Sequence, residues 1–126
     1  MKYEQLQHPK EIEVSSKTFA VSKIPAMEAM PIYEQICEIY SKRGVLGLSA
    51  LPIEITKVLL HYVCVMENGE WEELDTEKRI NMFFQDHTTL IKVRMAILKE
   101  NFGFLTDGSL LDLLGVQAEA EAESDS

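Results

Sequence analysis

His61 and Cys64 are the first pair of residues whose types and spacing could support chemistry. They are three residues apart, and on a helix this spacing can direct two ligands toward one metal ion. A structural zinc site needs four ligands, and no Cys-x-x-Cys or second histidine pair supplies the other two. Core packing is therefore the preferred interpretation of Cys64, and we predict no metal site and no cofactor.

Asp86 and His87 form a second candidate pair, a base beside an acid that could orient it. Nucleophilic catalysis would also require an activated nucleophile and backbone donors for an oxyanion, and no glycine-rich turn near this pair provides them. An Asp-His pair at a break between helices is commonly a helix cap. We therefore predict no catalytic residues, with a small enzyme built on Asp86 and His87 as a rival hypothesis.

A third group lies on the predicted helix Thr89–Phe102. Arg94 and Asn101 fall within an apolar arc of this helix, where a cation needs a partner or a path to water. One interpretation is an arginine whose stem covers apolar surface and whose head pairs with a carboxylate. The other is a polar specificity point within a hydrophobic binding face. For the second case the predicted partner-binding residues of the arc are Leu90, Ile91, Arg94, Leu98 and Phe102.

Four leucines follow in the short segment Ser109–Leu114, SLLDLL. Short leucine-rich helices dock into apolar grooves of partner proteins, although such patterns are also frequent by chance. The segment either folds back onto the domain or is presented to a partner. Folding back is favoured because exposed leucine clusters promote aggregation. For the other case Leu110, Leu113 and Leu114 complete the predicted partner-binding set.

The elements that position these residues are predicted mainly as helices. The stretch Ile53–Met66 is apolar nearly all round a helix, with Glu54, Lys57 and His61 in one stripe roughly 60° wide. A buried central helix over 53–66 follows from this pattern. The other predicted helices cover 31–43, a short segment starting at Asp75-Thr76, and 89–102 closed by Gly103.

Strand patterns are confined to short stretches. Alternating apolar residues flank Ser15-Ser16-Lys17 and predict a hairpin, and Glu70–Leu74 after the Asn68-Gly69 turn is a candidate third strand that joins it. The predicted fold class is therefore α+β but mostly α: a single small helical domain with a short N-terminal β-hairpin or three-stranded sheet. The predicted organisation is a flexible N-terminus (1–11), an α-rich domain (12–115) and a disordered acidic tail (116–126).

Charge and composition limit the partners. The net charge is −9, from 21 acidic and 12 basic residues, and no basic stripe interrupts the acidic surface. Such a surface repels phosphate backbones and anionic membranes, so we expect neither nucleic-acid binding nor membrane binding. Two cysteines within apolar patterns and an N-terminus without an apolar run predict a reducing cytoplasm. The surplus apolar face of helix 53–66 also predicts self-association into a homo-oligomer.

The order of these segments resembles a known family. KTFAVSKIPA (17–26) is followed by a helix and by KVLLHYVCV (57–65), and then by LDTEKRINMFFQD (74–86) and LIKVRMAILKENFGFL (90–105). This arrangement is similar to the small tail assembly chaperones of tailed bacteriophages, over about Lys17 to Leu114. It departs from the family at Ile24, where an aromatic residue is usual, and over Glu28–Ser41, where a more polar segment is usual.

The resemblance implies a function that is not enzymatic. Members of this family bind the long, helix-rich tape measure protein in the host cell cytoplasm, keep it soluble, help recruit tail tube protein, and are absent from the mature virion. The resemblance therefore implies the tape measure protein and the tail tube protein as partners. The alternative is a permanent minor structural component of the phage tail or baseplate.

Overall fold

An antiparallel sheet of four strands is the central element of the protein. The computed structural model describes residues 1–44 and 51–106, with side chains as far as Gly103. The strands are β1 (Gln7–Val14), β2 (Lys17–Lys23), β3 (Val63–Glu67) and β4 (Glu70–Glu73), and they lie in the order β1-β2-β3-β4. The helices in these ranges are α1 (Ala26–Arg43), α2 (Ile53–Leu60), α3 (Glu77–Phe83) and α4 (His87–Thr106).

The predicted fold class is wrong in its proportions. The protein is a small α+β domain, 55% helix and 25% strand, with a four-stranded sheet rather than a mostly α domain with a hairpin or three strands. Two antiparallel hairpins build the sheet, and β2 pairs with β3 to join them. The candidate strand Glu70–Leu74 exists as β4, but it pairs with β3 and not with the N-terminal hairpin.

The missing strand lies inside the stretch predicted as one buried helix, 53–66. Helix α2 ends at Leu60, and Val63, Cys64 and Val65 form the fully buried part of β3. A central strand covered on both faces has a continuous apolar sequence, and over a short run this cannot be distinguished from a buried helix by periodicity alone. The physical reason for the error is thus the burial of β3 on both sides.

Both hairpins turn through two residues with positive φ. Ser15 and Ser16 have φ of 52° and 68°, and Asn68 and Gly69 have φ of 52° and 81°. Positive φ at both central positions is the requirement of a type I′ turn, whose twist matches that of the flanking strands. The predicted hairpin at Ser15-Ser16 and the predicted turn at Asn68-Gly69 are therefore confirmed.

The helix boundaries differ from the predicted ones at several points. Helix α1 begins five residues before Pro31, directly after Pro25. Helix α3 begins after Thr76, as predicted, and the Thr76 Oγ1 accepts a hydrogen bond from the Arg79 backbone N–H at 3.1 Å. Gly103 does not close the last helix, which continues to Thr106 but kinks at Phe102 (φ −133°, ψ 48°).

The two faces of the sheet are covered differently. Phe19, Val21, Val63 and Val65 belong to the main core, whose other members come mostly from the helices. On the opposite face, Ala20 and Cys64 form a second cluster with Leu6, against which Met1, Tyr3 and Trp71 pack. Residues 1–11, predicted as a flexible N-terminus, form a 3-10 turn over Tyr3–Gln5 and the first part of β1. The predicted acidic tail, 116–126, lies outside the described residues.

Helix α1 is tied to the end of the sheet by a hydrogen bond from the Tyr62 hydroxyl to the Glu28 carboxylate. Burial of the Tyr62 ring, together with this bond and the charge of Glu28, raises the pKa of Tyr62 to about 12. Burial also raises the pKa of the Cys64 thiol to about 11. Both groups hold their protons more tightly in the folded chain than in the unfolded chain.

Stability should therefore decrease in alkali. Both raised pKa values make the folded state bind more protons, so their contribution is complete below the ordinary values of 9.0 and 10.0 and is lost as the pH rises toward 12. Each group contributes a slope of at most about 1.4 kcal/mol per pH unit in the free energy of unfolding. Urea unfolding across this pH range should show a smaller alkaline loss in Tyr62→Phe than in the parent. Tyr40→Phe is the control, and equal losses in both variants would contradict the assignment.

Candidate partner-binding site

Three of the predicted partner-binding residues lie in the interior of the protein itself. Leu98 and Phe102 are 2% and 4% exposed, and both belong to the main core; Arg94 is 8% exposed. Their apolar arc is the face of α4 that packs against the sheet and α2. An apolar arc predicts burial but does not say whether the covering surface belongs to the same chain. In this structure these three residues are unavailable to a partner.

The other predicted residues have different positions. Leu90 is half-buried, and Ile91 is 38% exposed, so the N-terminal half of α4 reaches the surface. Leu110, Leu113 and Leu114 lie outside the described residues. Of the predicted set, only Leu90 and Ile91 lie where a partner could contact them in the described part of the chain.

Leu90 lies in a groove where α2, α3 and α4 meet. The groove has a volume of about 100 Å³, and its apolar lining is Ile53 and Leu60 from α2, Ile80 from α3, and Leu90 from α4. At its rim the Lys57 ammonium lies 3.1 Å from the Glu77 carboxylate, and this ion pair raises the pKa of Lys57. The side chains that could bind an apolar segment here come from three different helices.

Ile53 is the most exposed apolar side chain of this groove. It is 57% exposed, which is unusual for an isoleucine beside a core. Val58 on the same helix is also exposed, at 45%, but it lies about 140° further round the helix and is not part of the groove lining. Ile53 thus presents apolar surface at the groove, whereas Val58 presents it elsewhere.

Arg94 connects the helices beneath this groove. Its Nη1 donates a hydrogen bond to the Thr56 Oγ1 at 3.0 Å, and Thr56 is one of the groove residues. Burial lowers the pKa of Arg94. The structure therefore gives Arg94 a role in joining α4 to α2, instead of placing it as a specificity point on a binding face.

Asn101, the other polar residue of the arc, fastens α4 to the end of β2. Its Oδ1 accepts a hydrogen bond from the Ile24 N–H at 2.8 Å, and its Nδ2 donates to the Ser22 and Ile97 carbonyls at 2.9 and 3.1 Å. These bonds satisfy the backbone just where the strand ends and the chain turns toward α1. Asn101 is therefore a structural residue, and the specificity interpretation does not apply to it in this structure.

Replacing Asn101 by Ala should destabilise the fold strongly. The substitution leaves the Ile24 N–H and the Ser22 carbonyl without these partners, and an unsatisfied buried group costs about 1–3 kcal/mol. Urea unfolding should show a loss in that range or above it. Lys99→Ala, at an exposed position of the same helix, is the matched control and should change the midpoint little. Similar small losses in the two variants would argue against the Asn101 assignment.

Asp86 acts as a helix cap. Its Oδ1 accepts a hydrogen bond from the Thr89 backbone N–H at 2.8 Å, in the first turn of α4. This bond, more than the neighbouring charge of His87, lowers the pKa of Asp86. The capping interpretation of the Asp86-His87 pair is confirmed for the aspartate. His87 is the exposed first residue of α4 and does not line the shallow cavity beside Asp86.

The cap predicts how stability responds to substitution and to acid. Because the pKa of Asp86 is lowered on folding, its contribution is present above the ordinary carboxyl value and is lost as the pH falls through the folded value. Asp86→Ala should lower the thermal midpoint at neutral pH, and the difference from the parent should shrink in acid. His87→Ala is the control. A larger loss in His87→Ala than in Asp86→Ala would contradict the cap.

His61 and Cys64 do not form a metal site in this arrangement. His61 is exposed at the end of α2, whereas Cys64 is buried on β3 with its Sγ 3.3 Å from the Met1 carbonyl oxygen. Within 1–44 and 51–106, no group of three or more histidine, cysteine or acidic side chains is arranged to hold a metal ion. Both cysteines are free thiols, Cys64 buried and Cys37 half-buried.

A larger cavity of about 400 Å³, beside Tyr3 and Trp71, was not predicted from the sequence. Trp71 is the single tryptophan of the chain, but nothing in the sequence connects it to Tyr3. Their proximity depends on the path of the N-terminal residues over the sheet. Such a long-range contact has no local sequence pattern.

Comparison with known proteins finds no matching family model, no matching curated protein and no matching solved structure. The resemblance to tail assembly chaperones therefore stays a prediction from the sequence. None of the helices in the described ranges combines the length and the apolar character needed to cross a membrane.

Proposed function

We propose that the protein is a tail assembly chaperone of a tailed bacteriophage, which binds apolar helix faces of the tape measure protein transiently and keeps that protein soluble. The observation that supports this most directly is the groove between α2, α3 and α4, with Ile53 57% exposed beside it. An apolar groove lined by several helices is a common docking site for an amphipathic helix. We propose this groove as the site of contact.

The shape and rim of the groove favour a weak, reversible complex. Its volume of about 100 Å³ accommodates one or two side chains of a partner helix, and the Lys57–Glu77 ion pair borders it. A small contact with a charged rim gives specificity without a long lifetime. Reversible binding is what a chaperone needs if it is to leave before the particle is complete.

The charge of the protein supports the same role. With a net charge of −9, a chaperone bound to an apolar partner gives the complex a strongly charged surface. Repulsion between such complexes opposes their aggregation. The groove would bind the partner, and the acidic surface would keep the complex in solution.

Two of the four segments that carry the family resemblance contribute mainly to the scaffold. Residues 17–26 cover β2 and the start of α1, and residues 57–65 join α2 to β3, which lies beside β2. Of the apolar groove residues, Leu60, Ile80 and Leu90 fall within the resembling segments, and Ile53 lies outside them.

Co-expression with a tape measure protein tests the proposal. The parent should increase the soluble fraction of a tape measure protein, and Ile53→Glu should remove most of that increase because a carboxylate in the groove must be desolvated by an apolar helix. Val58→Glu is the matched control, since it introduces the same charge on the exposed opposite side of α2. Equal effects of the two variants, or none from the parent, would contradict the proposal.

A second measurement separates the chaperone from its alternative. A permanent component of the tail or baseplate remains in purified particles at a fixed copy number, whereas a chaperone is absent from them. Quantitative protein analysis of purified virions distinguishes these outcomes. Detection at a constant ratio to the tail tube protein would replace the chaperone proposal with the structural alternative.

A further inference from the structure

The residues Met1–Leu6, here called the N-terminal strap, lie across the outer face of the sheet. The Tyr3 ring stacks on the Trp71 ring, with centroids 4.7 Å apart and planes 5° from parallel. Leu6 is 8% exposed and packs in the cluster with Ala20 and Cys64, both fully buried. The strap thus covers small side chains at the centre of the sheet and one face of the single tryptophan.

The strap is attached mainly through side chains and its first residue. The Cys64 thiol donates to the Met1 carbonyl oxygen at 3.3 Å, and the Met1 amine lies 3.1 Å from the Glu73 carboxylate. Among the described residues, the backbone hydrogen bonds of the strap stay inside it, from Gln5 to Lys2 and from Leu6 to Tyr3. Strands are held by ladders of such bonds to their neighbours, and the strap has no such ladder.

The strap joins β1 at an irregular point. His8 has a φ of 46°, which is unusual for a residue other than glycine, and it precedes Pro9. The pairing of β1 with β2 changes register between Gln7 and Lys10. Bulges of this kind bend a strand and interrupt its ladder. The chain therefore has a natural hinge between the strap and the regular part of β1.

A cavity gives the strap room to move. The space of about 400 Å³ is lined by Lys2, Tyr3 and Glu4 of the strap and by neighbours that include Trp71 and Arg79. A segment that borders such a space on one side can move without displacing core side chains. Of the six residues of the strap, only Leu6 is buried.

We propose that the strap is a displaceable cover. Together with Gln7 it opens about His8 and Pro9, which breaks the hydrogen bonds between Gln7 and Ser22, while β1 from Lys10 onward, the other strands and the helices remain folded. The opening uncovers Cys64, Ala20 and the face of Trp71. Local opening of this kind has a lower free energy than global unfolding because few buried contacts are lost. The open form exposes the outer face of the sheet, on the side opposite the helices.

The Cys64 thiol reports the opening directly. In the full chain with Cys37→Ser, a thiol reagent can reach Cys64 only when the strap is displaced or when the protein unfolds. Labelling in native buffer should be faster than global unfolding permits and should change little at low urea concentrations. Leu6→Ala should accelerate labelling at least about tenfold, because it removes the one buried side chain of the strap. It should leave far-ultraviolet circular dichroism unchanged.

A matched control distinguishes local opening of the strap from global unfolding. Leu90→Ala removes the same type of side chain, half-buried in this case, far from the strap, so it should lower global stability without a comparable increase in the labelling rate. Tyr3→Ala should also alter the emission of Trp71, the only tryptophan, in the folded protein. If labelling instead follows global stability equally in Leu6→Ala and Leu90→Ala, the strap opens only with the whole fold and the proposal is overturned.

Discussion

The burial of β2 on both faces is the constraint on which the other elements depend. Phe19, Ala20, Val21 and Ser22 are each 1% exposed or less, so this strand needs a cover on each side. It also needs a neighbour on each edge, since unpaired backbone groups in the interior are costly. Strands β1 and β3 pair with the backbone groups on the two edges of β2. The side chain of Asn101 forms hydrogen bonds with the backbone where the strand ends.

The requirements of this strand determine the layers around it. Phe19 and Val21 are large and face the helices, where α4 supplies Val93, Ile97 and Leu98. Ala20 of β2 and Cys64 of β3 are small and face the outer side, where Leu6 of the six-residue strap packs on them. Large side chains on one face and small ones on the other explain why a helical layer covers one side and a short segment suffices for the other.

The sequence was informative where a signal is local. The hairpin at Ser15-Ser16, the turn at Asn68-Gly69, the helix start at Asp75-Thr76 and the Asp86 cap depend on residues within a few positions of each other, and all were predicted. Prediction from the sequence failed where burial depends on partners that are distant in the chain. Val63–Val65 is a strand only because β2 and β4 lie on either side, and the N-terminal strap is ordered only because Trp71 and Cys64 lie beneath it.

The candidate site could not be located from the sequence for the same reason, because burial depends on distant partners. The apolar arc of α4 was correctly predicted to need a cover, but the cover of Leu98 and Phe102 is the protein's own core. The apolar surface that remains uncovered lies between α2 and α4, beside α3, which is only seven residues long. So short a helix covers part of the surface between α2 and α4 and leaves Ile53 exposed at the groove. The candidate site exists because two short helices, α2 and α3, meet the longer α4, and neither periodicity nor composition specifies that arrangement.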